Sequence, residues 1–63
     1  MKEVNRKEFF NLINKKNVTT SVVGDFPYTV IFKDRDNSMD EVGKIVDEID
    51  LVKNRSVKYF LKK

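Results

Sequence analysis

The apolar residues of this chain are mostly β-branched or aromatic, and this bias limits the folds that it can adopt. They are nine Val, four Ile, three Leu, five Phe, two Tyr and two Met, with no Ala and no Trp. Such side chains pack well on the pleated surface of a sheet. A chain of 63 residues without cysteine must also build its core from these side chains alone, because no disulfide can hold it together. We therefore expect one small domain, residues 1–63, that contains a sheet.

The clearest local signal is the start of a helix after Asn5. Asn5 is a good N-cap residue, and Glu8 stands three positions later, where a capping box needs it. Phe9, Leu12 and Ile13 then recur at helical spacing. This pattern predicts a helix that continues to about residue 16 and buries its apolar stripe.

A β-hairpin is predicted next, from two β-rich runs at residues 18–23 and 26–33. Gly24 and Asp25 between the runs favour a two-residue turn, and a wider loop from Gly24 to Pro27 is the competing arrangement. Because Pro27 has no N–H to donate, the second strand should begin at a sheet edge or face solvent.

The second half of the chain shows a helical apolar repeat and then an alternating one. Ser38 and Glu41 can form another capping box, and apolar residues follow it at positions i, i+3, i+4 and i+7. These positions hold Val42, Ile45, Val46 and Ile49. The pattern predicts a second helix from Ser38, in which Gly43 indicates close packing against the sheet. Val57, Tyr59 and Leu61 alternate with Lys58, Phe60 and Lys62, which predicts a third strand over residues 57–61.

Together these elements predict an α+β fold of order α-β-β-α-β. We expect a three-stranded, mainly antiparallel sheet of order 2-1-3, in which the third strand pairs beside the first. Both helices then cover one face of the sheet, since a crossover connection packs its helix back onto the sheet. The opposite face remains partly exposed, and we expect a partner to bind there.

The sequence holds no recognisable catalytic or metal-binding motif. It contains no His and no Cys, which excludes Ser-His-Asp and Cys-His constellations and Cys/His zinc sites. Oxygen-bearing residues alternate over residues 34–40 like the start of a calcium loop. However, Met39 and Ile45 stand where that loop requires Gly and Glu. We therefore expect a protein that is not an enzyme and that uses no cofactor and no metal ion.

An acidic cluster in residues 38–50 points to a protein partner. This segment holds five acidic residues and one lysine, and four of the acids face away from the apolar stripe of the predicted helix. A solvated helix face is the simpler interpretation, and an acidic surface for a basic partner is the functional one. The candidate protein-binding residues are these four acids and three sheet aromatics, namely Asp40, Glu41, Asp47, Glu48, Tyr28, Phe32 and Phe60.

A basic segment at the C-terminal end points instead to nucleic acid. Residues 51–63 hold five basic residues and no acidic residue. Lys58, Phe60 and Lys62 share one face of the predicted strand, where lysines can follow phosphates while an aromatic ring stacks on a base. Lysines on an edge strand also protect against aggregation, so this pattern has a structural interpretation as well. The candidate nucleic-acid-binding residues are Lys15, Lys16, Lys33, Arg35, Lys58 and Lys62.

The sequence thus favours a small binding protein, a regulator or inhibitor that acts through a protein partner. A basic nucleic-acid-binding protein is the alternative. No apolar run approaches the roughly 18 residues that a membrane span needs, and residues 1–5 lack a hydrophobic signal region. We therefore expect a cytoplasmic protein with no membrane partner. A homodimer is a further expectation, because oligomerisation commonly stabilises so small a core.

Overall fold

The residues that the structure describes form a five-stranded antiparallel sheet with one α-helix packed on one of its faces. This computed structural model describes residues 1–25, 27–49, 52 and 54–62. The elements in chain order are β1 (Lys2–Val4), α1 (Arg6–Ile13), β2 (Val18–Val23), β3 (Thr29–Asp34), a 3-10 turn (Arg35–Asn37), β4 (Asp40–Ile49) and β5 (Arg55–Leu61). The strand order across the sheet is β1-β5-β4-β3-β2, and every neighbouring pair is antiparallel.

The first helix begins where the sequence predicts. The side-chain Oδ1 of Asn5 accepts a hydrogen bond from the backbone N–H of Glu8 at 2.8 Å, which confirms the N-cap. The helix ends at Ile13, shortly before its predicted end. Phe9 and Ile13 are buried beneath it, whereas Leu12, predicted to be buried, is 36% exposed.

The hairpin that follows is present, but its two-residue turn is wrong. β2 and β3 pair from Val18 opposite Asp34 to Val23 opposite Thr29, so residues 24–28 connect the strands. Gly24 adopts a φ of 81°, a left-handed conformation that glycine accepts without steric cost. Phe26, predicted to begin the second strand, lies outside the described residues.

The predicted second helix is wrong, because residues 40–49 form the central strand β4. Its apolar residues do not alternate strictly with polar ones, because Ile45 on the helix-packed face and Val46 on the opposite face are both half-buried. Ser38, the predicted N-cap, instead adopts a left-handed backbone with a φ of 56°. Val42 is the extra residue of a β-bulge, because Gly43 pairs with Phe32 while Glu41 pairs with Lys33.

The predicted sheet of three strands in the order 2-1-3 with two helices is therefore wrong as well. β5, the predicted third strand, pairs with β4 on one side and with β1 on the other. β1, at residues Lys2–Val4, was not expected from the sequence. β2, predicted to lie in the centre, is the last strand at one edge.

The core lies between α1 and the middle of the sheet. Phe9 and Leu61 are fully buried, and Ile13, Phe32 and Val42 complete the buried cluster. The Phe9 ring makes an edge-to-face contact with Phe32, with 5.3 Å between ring centroids. Gly43 lies beneath the Phe9 ring, and a Cβ atom added to Gly43 would lie 3.0 Å from Phe9 Cε2. The close packing that Gly43 indicated is present, although on a strand.

The alternation of side chains divides the sheet into two faces. We call the face beneath α1 the helix face and the opposite one the open face. The ladder partners place these residues of the three central strands on the helix face: Val30, Phe32, Gly43, Ile45, Asp47, Val57, Tyr59 and Leu61. Those on the open face are Thr29, Ile31, Lys33, Glu41, Lys44, Val46, Glu48, Ser56, Lys58 and Phe60.

Candidate protein-binding groove

The helix covers only part of the helix face, and a groove occupies the end that it leaves open. α1 links the two edges of the sheet and is about 10–12 Å wide, whereas ten-residue β4 extends about 33 Å. The far end of β4 therefore lies beyond the helix. A concavity of about 230 Å³ is present there. Its lining residues are Tyr28, Val30, Ile45, Asp47, Arg55 and Val57.

Three neighbouring strands place these side chains together. Val30 of β3 is directly opposite Ile45 of β4, and Asp47 of β4 is directly opposite Val57 of β5. Tyr28 is held beside them because its carbonyl oxygen accepts a hydrogen bond from the Asp47 N–H at 3.0 Å. The groove is thus built on strand backbone, which fixes its shape.

A paired carboxylate and guanidinium form the polar part of the groove. Arg55 Nε donates to Asp47 Oδ1 at 2.9 Å, and Arg55 Nη2 donates to Asp47 Oδ2 at 2.8 Å. Asp47 is buried, whereas the Arg55 side chain is 62% exposed. The hydrogen bond from Arg55 and the negative charge of Asp47 raise the pKa of Arg55 above its usual value. Arg55 therefore stays charged at neutral pH, and the two groove charges cancel.

Large apolar side chains surround the groove and remain exposed to solvent. Tyr28 is 45% exposed, Val57 42% and Ile49 40%. Val22, which pairs with Val30 and so shares its face, is 64% exposed. Scattered apolar residues are ordinary on protein surfaces, but a contiguous apolar patch around a concavity is typical of an interaction site.

The predicted acidic surface is not formed, because its members lie on different parts of the sheet. Asp47 is in the groove, whereas Glu41 and Glu48 are on the open face. Asp40 is at the start of β4, where Lys62 Nζ donates to its Oδ2 at 2.6 Å. Glu48 forms an ion pair with Lys58 at 3.3 Å. An acidic helix face therefore cannot be the binding site.

The three candidate aromatic residues are also separated. Tyr28 lies at the groove, but Phe32 is only 8% exposed and belongs to the core, so its prediction as an exposed sheet aromatic is wrong. Phe60 is half-buried on the open face, with Lys44 Nζ 5.4 Å from its ring centroid. Of the seven protein-binding candidates, the structure brings together only Tyr28 and Asp47.

The candidate nucleic-acid-binding residues do not form one basic patch. Lys33 and Lys58 are on the open face, and Lys62 follows β5 and binds Asp40. Lys15 and Lys16 follow α1, and Arg35 is beside them because its N–H donates to the Asn17 carbonyl. Lys16 forms an ion pair with Asp34 at 3.8 Å. The remaining basic residues of the C-terminal segment, Lys53 and Lys63, lie outside the described residues.

Sequence reasoning missed Arg55, Val57, Val30 and Ile45 as groove residues. The β-branched residues of segment 42–49 indicate a strand, and this indication could have identified Arg55 and Val57. Read as a strand, this segment forms a hairpin with residues 55–61 and places Asp47 opposite Val57, two pairs from Arg55 on the same face. The helical interpretation concealed this pairing.

Within the part of the chain that the structure describes, no three potential metal ligands come together. The same residues include no helix that is long and apolar enough to cross a membrane. Comparisons with protein families, with curated proteins and with solved structures find no significant match for this chain.

Proposed function

We propose that this protein is a non-catalytic binding module that holds an apolar side chain of a protein partner in the groove. The observation that supports the proposal is the concavity itself, which has apolar walls and an internally neutralised Asp47–Arg55 pair. By occupying a surface of its partner, such a module acts as a regulator or inhibitor.

The size of the groove favours one anchoring side chain. Sites for drug-sized ligands and cofactors usually enclose about 300–1,000 Å³. The groove, at about 230 Å³, is smaller than this range. A single Leu, Phe or Trp side chain from another protein fits such a space. Tyr28 and Arg55 at its rim are residue types that often contribute strongly to protein–protein binding energy.

The charges on the open face argue against nucleic acid as the main ligand. This face carries Lys33, Lys44 and Lys58, but the ladder partners also place three glutamates on it. These are Glu3, Glu41 and Glu48. A surface that binds phosphates needs an excess of positive charge, which these residues do not provide. The exposed apolar patch around the groove is the better basis for binding.

A peptide library displayed on phage and selected against the intact chain tests this proposal. We expect the selected peptides to share one bulky apolar residue and to lose at least about tenfold in affinity for Val57→Lys. Val23→Lys is a matched control, because Val23 is similarly exposed at 50%, lies on the open face and receives the same added charge. Affinity for Val23→Lys should stay within about threefold of the original chain.

Salt dependence separates the two classes of ligand. Binding to the neutral groove should change little between about 50 and 300 mM salt, since few counterions are released. A single-stranded oligonucleotide held by three lysines would lose about 40-fold in affinity over that range. The proposal is wrong if Val57→Lys and Val23→Lys bind the peptides equally well, or if an unlabelled oligonucleotide displaces them.

A further inference from the structure

One edge of the sheet lacks the features that normally protect an edge strand. β2 is the outermost strand on its side and has the sequence Val-Thr-Thr-Ser-Val-Val, with no charged residue and no proline. Proteins usually prevent edge-to-edge pairing with lysines, prolines, bulges or very short edge strands. The opposite edge, β1, has such protection, because it is three residues long and includes Lys2 and Glu3. β2 therefore presents an unprotected strand to a pairing partner.

The ladder identifies the backbone groups that β2 offers. The Asn17 carbonyl accepts a hydrogen bond from the Arg35 N–H at 2.9 Å, so residue 17 points its backbone groups toward β3. Because backbone direction alternates along a strand, Thr19 and Ser21 point the same way. The N–H and C=O groups of Val18, Thr20 and Val22 are therefore directed outward, to the free edge.

We propose that a second copy of this chain pairs with this edge, β2 against β2 in antiparallel orientation, to form a continuous ten-stranded sheet. The two-fold axis passes through Thr20, so that Thr20 faces Thr20 of the second copy and Val18 faces its Val22. In this register every outward-directed residue of β2 pairs with an outward-directed residue, giving about six backbone hydrogen bonds. A shift by two residues in either direction leaves part of these groups unpaired.

Side chains on both faces of β2 suit this register. On the helix face, Val18 meets Val22 of the second copy, so the pairing covers the exposed surface of Val22. On the open face, Thr19 meets Ser21, and two hydroxyl groups can form a hydrogen bond. No charge is brought against a like charge within the strands.

The segments that flank β2 are complementary in charge. Lys15 and Lys16 come before the strand, and Asp25 comes after it. Antiparallel pairing brings the start of one β2 beside the end of the other, so the lysines of each copy approach Asp25 of its partner. A partner with the same sequence provides this match at both ends, which favours a second copy over an unrelated strand. The inference does not depend on the proposed groove.

A pair of variants with opposite charges at position 20 tests the proposal. Sedimentation velocity from about 10 µM to 1 mM should show a dimer that forms with increasing concentration. Thr20→Lys and Thr20→Glu should each raise the dissociation constant of this dimer at least about tenfold, because each places two like charges opposite one another at the two-fold axis. An equimolar mixture of these two variants should recover dimer formation. Thr19→Lys is the matched control, since residue 19 faces Ser21 rather than itself, and its dimer should weaken by less than about threefold.

Disulfide formation gives a second measurement of the register, because the chain has no cysteine of its own. Facing residues at position 20 place their Cα atoms about 5.5 Å apart, within the range that a disulfide spans, whereas the two copies of residue 19 lie about 8 Å apart. Thr20→Cys should therefore form an oxidised dimer at least about tenfold faster than Thr19→Cys. A wild-type chain that stays monomeric at every concentration, or a Lys and Glu mixture no more dimeric than either variant alone, overturns the proposal. Equal oxidation rates for the two cysteine variants also overturn it.

Discussion

Replacing Gly43 by alanine should destabilise this protein, because the space that the new Cβ atom needs is already filled by neighbouring atoms. The added Cβ atom would lie 3.0 Å from the Phe60 carbonyl oxygen, 3.0 Å from Phe9 Cε2 and 3.3 Å from Leu61 Cδ2. The first neighbour is backbone of the paired strand β5, and the other two belong to fully buried side chains. None of the three can move without disturbing the sheet or the core.

The magnitude follows from two opposing contributions. Extra atoms in a packed core usually cost about 1–3 kcal/mol, while removing glycine stabilises by about 0.4–1 kcal/mol because the unfolded chain loses conformational freedom. The midpoints of these two ranges differ by about 1.3 kcal/mol, so the free energy of unfolding should fall by about 1–2 kcal/mol. For a chain of this length the melting temperature should then drop by about 4–16 °C. In an exposed helix interior the same change would instead stabilise by about 1 kcal/mol.

Urea denaturation of Gly43→Ala, Phe9→Leu and the double variant measures the change in the free energy of unfolding. It also shows whether contact with the Phe9 ring causes that change. Leucine at position 9 removes the aromatic ring that the new Cβ atom would meet, although the contact with the Phe60 carbonyl remains. Gly43→Ala should therefore cost at least about 0.5 kcal/mol less in the Phe9→Leu background than in the original chain. A stabilising Gly43→Ala, or strictly additive effects in the double variant, would refute the packing described above.

Two further predictions concern backbone features outside the core. Asn5→Ala should lower the free energy of unfolding by about 1 kcal/mol, because the backbone N–H of Glu8 loses its 2.8 Å hydrogen bond to the Asn5 side chain. An unchanged urea midpoint would show that this cap does not stabilise the protein. Met39→Gly should raise the free energy of unfolding by about 0.5–1 kcal/mol, because Met39 has a φ of 58° and its Cβ atom is strained there. A lower thermal midpoint for Met39→Gly would contradict this explanation.

Local sequence signals were sufficient for the elements that depend on local interactions. The cap at Asn5 and the stripe of Phe9 and Ile13 predict the start of α1, because a helix is stabilised by residues three and four apart. β2 and β3 were recognised from two β-rich runs on either side of Gly24. The larger part of β5 was recognised from the alternation over residues 57–61. Each of these elements can be identified without knowing its neighbours in the sheet.

The error at β4 arose because its apolar residues lie on both faces of the sheet and because the strand contains one bulge. Ile45 points to the helix face and Val46 to the open face, and both of these consecutive apolar residues are half-buried. The bulge at Val42 then shifts the alternation by one residue. The resulting spacing resembles a helical repeat. The residue types were the better guide, since four β-branched residues in ten positions favour a strand.

The same error explains why the acidic residues were assigned one common role. On a helix, acids at positions 40, 41, 47 and 48 would lie on one side, as a surface for a basic partner. On a bulged strand they alternate between faces, so Asp47 turns toward Arg55 and Glu48 toward Lys58. Burial of Asp47 without a cation would be costly, which gives its bond to Arg55 a structural role. The exposed valines and Tyr28 lie around this neutral pair, and they are the part of the groove that we propose a partner contacts.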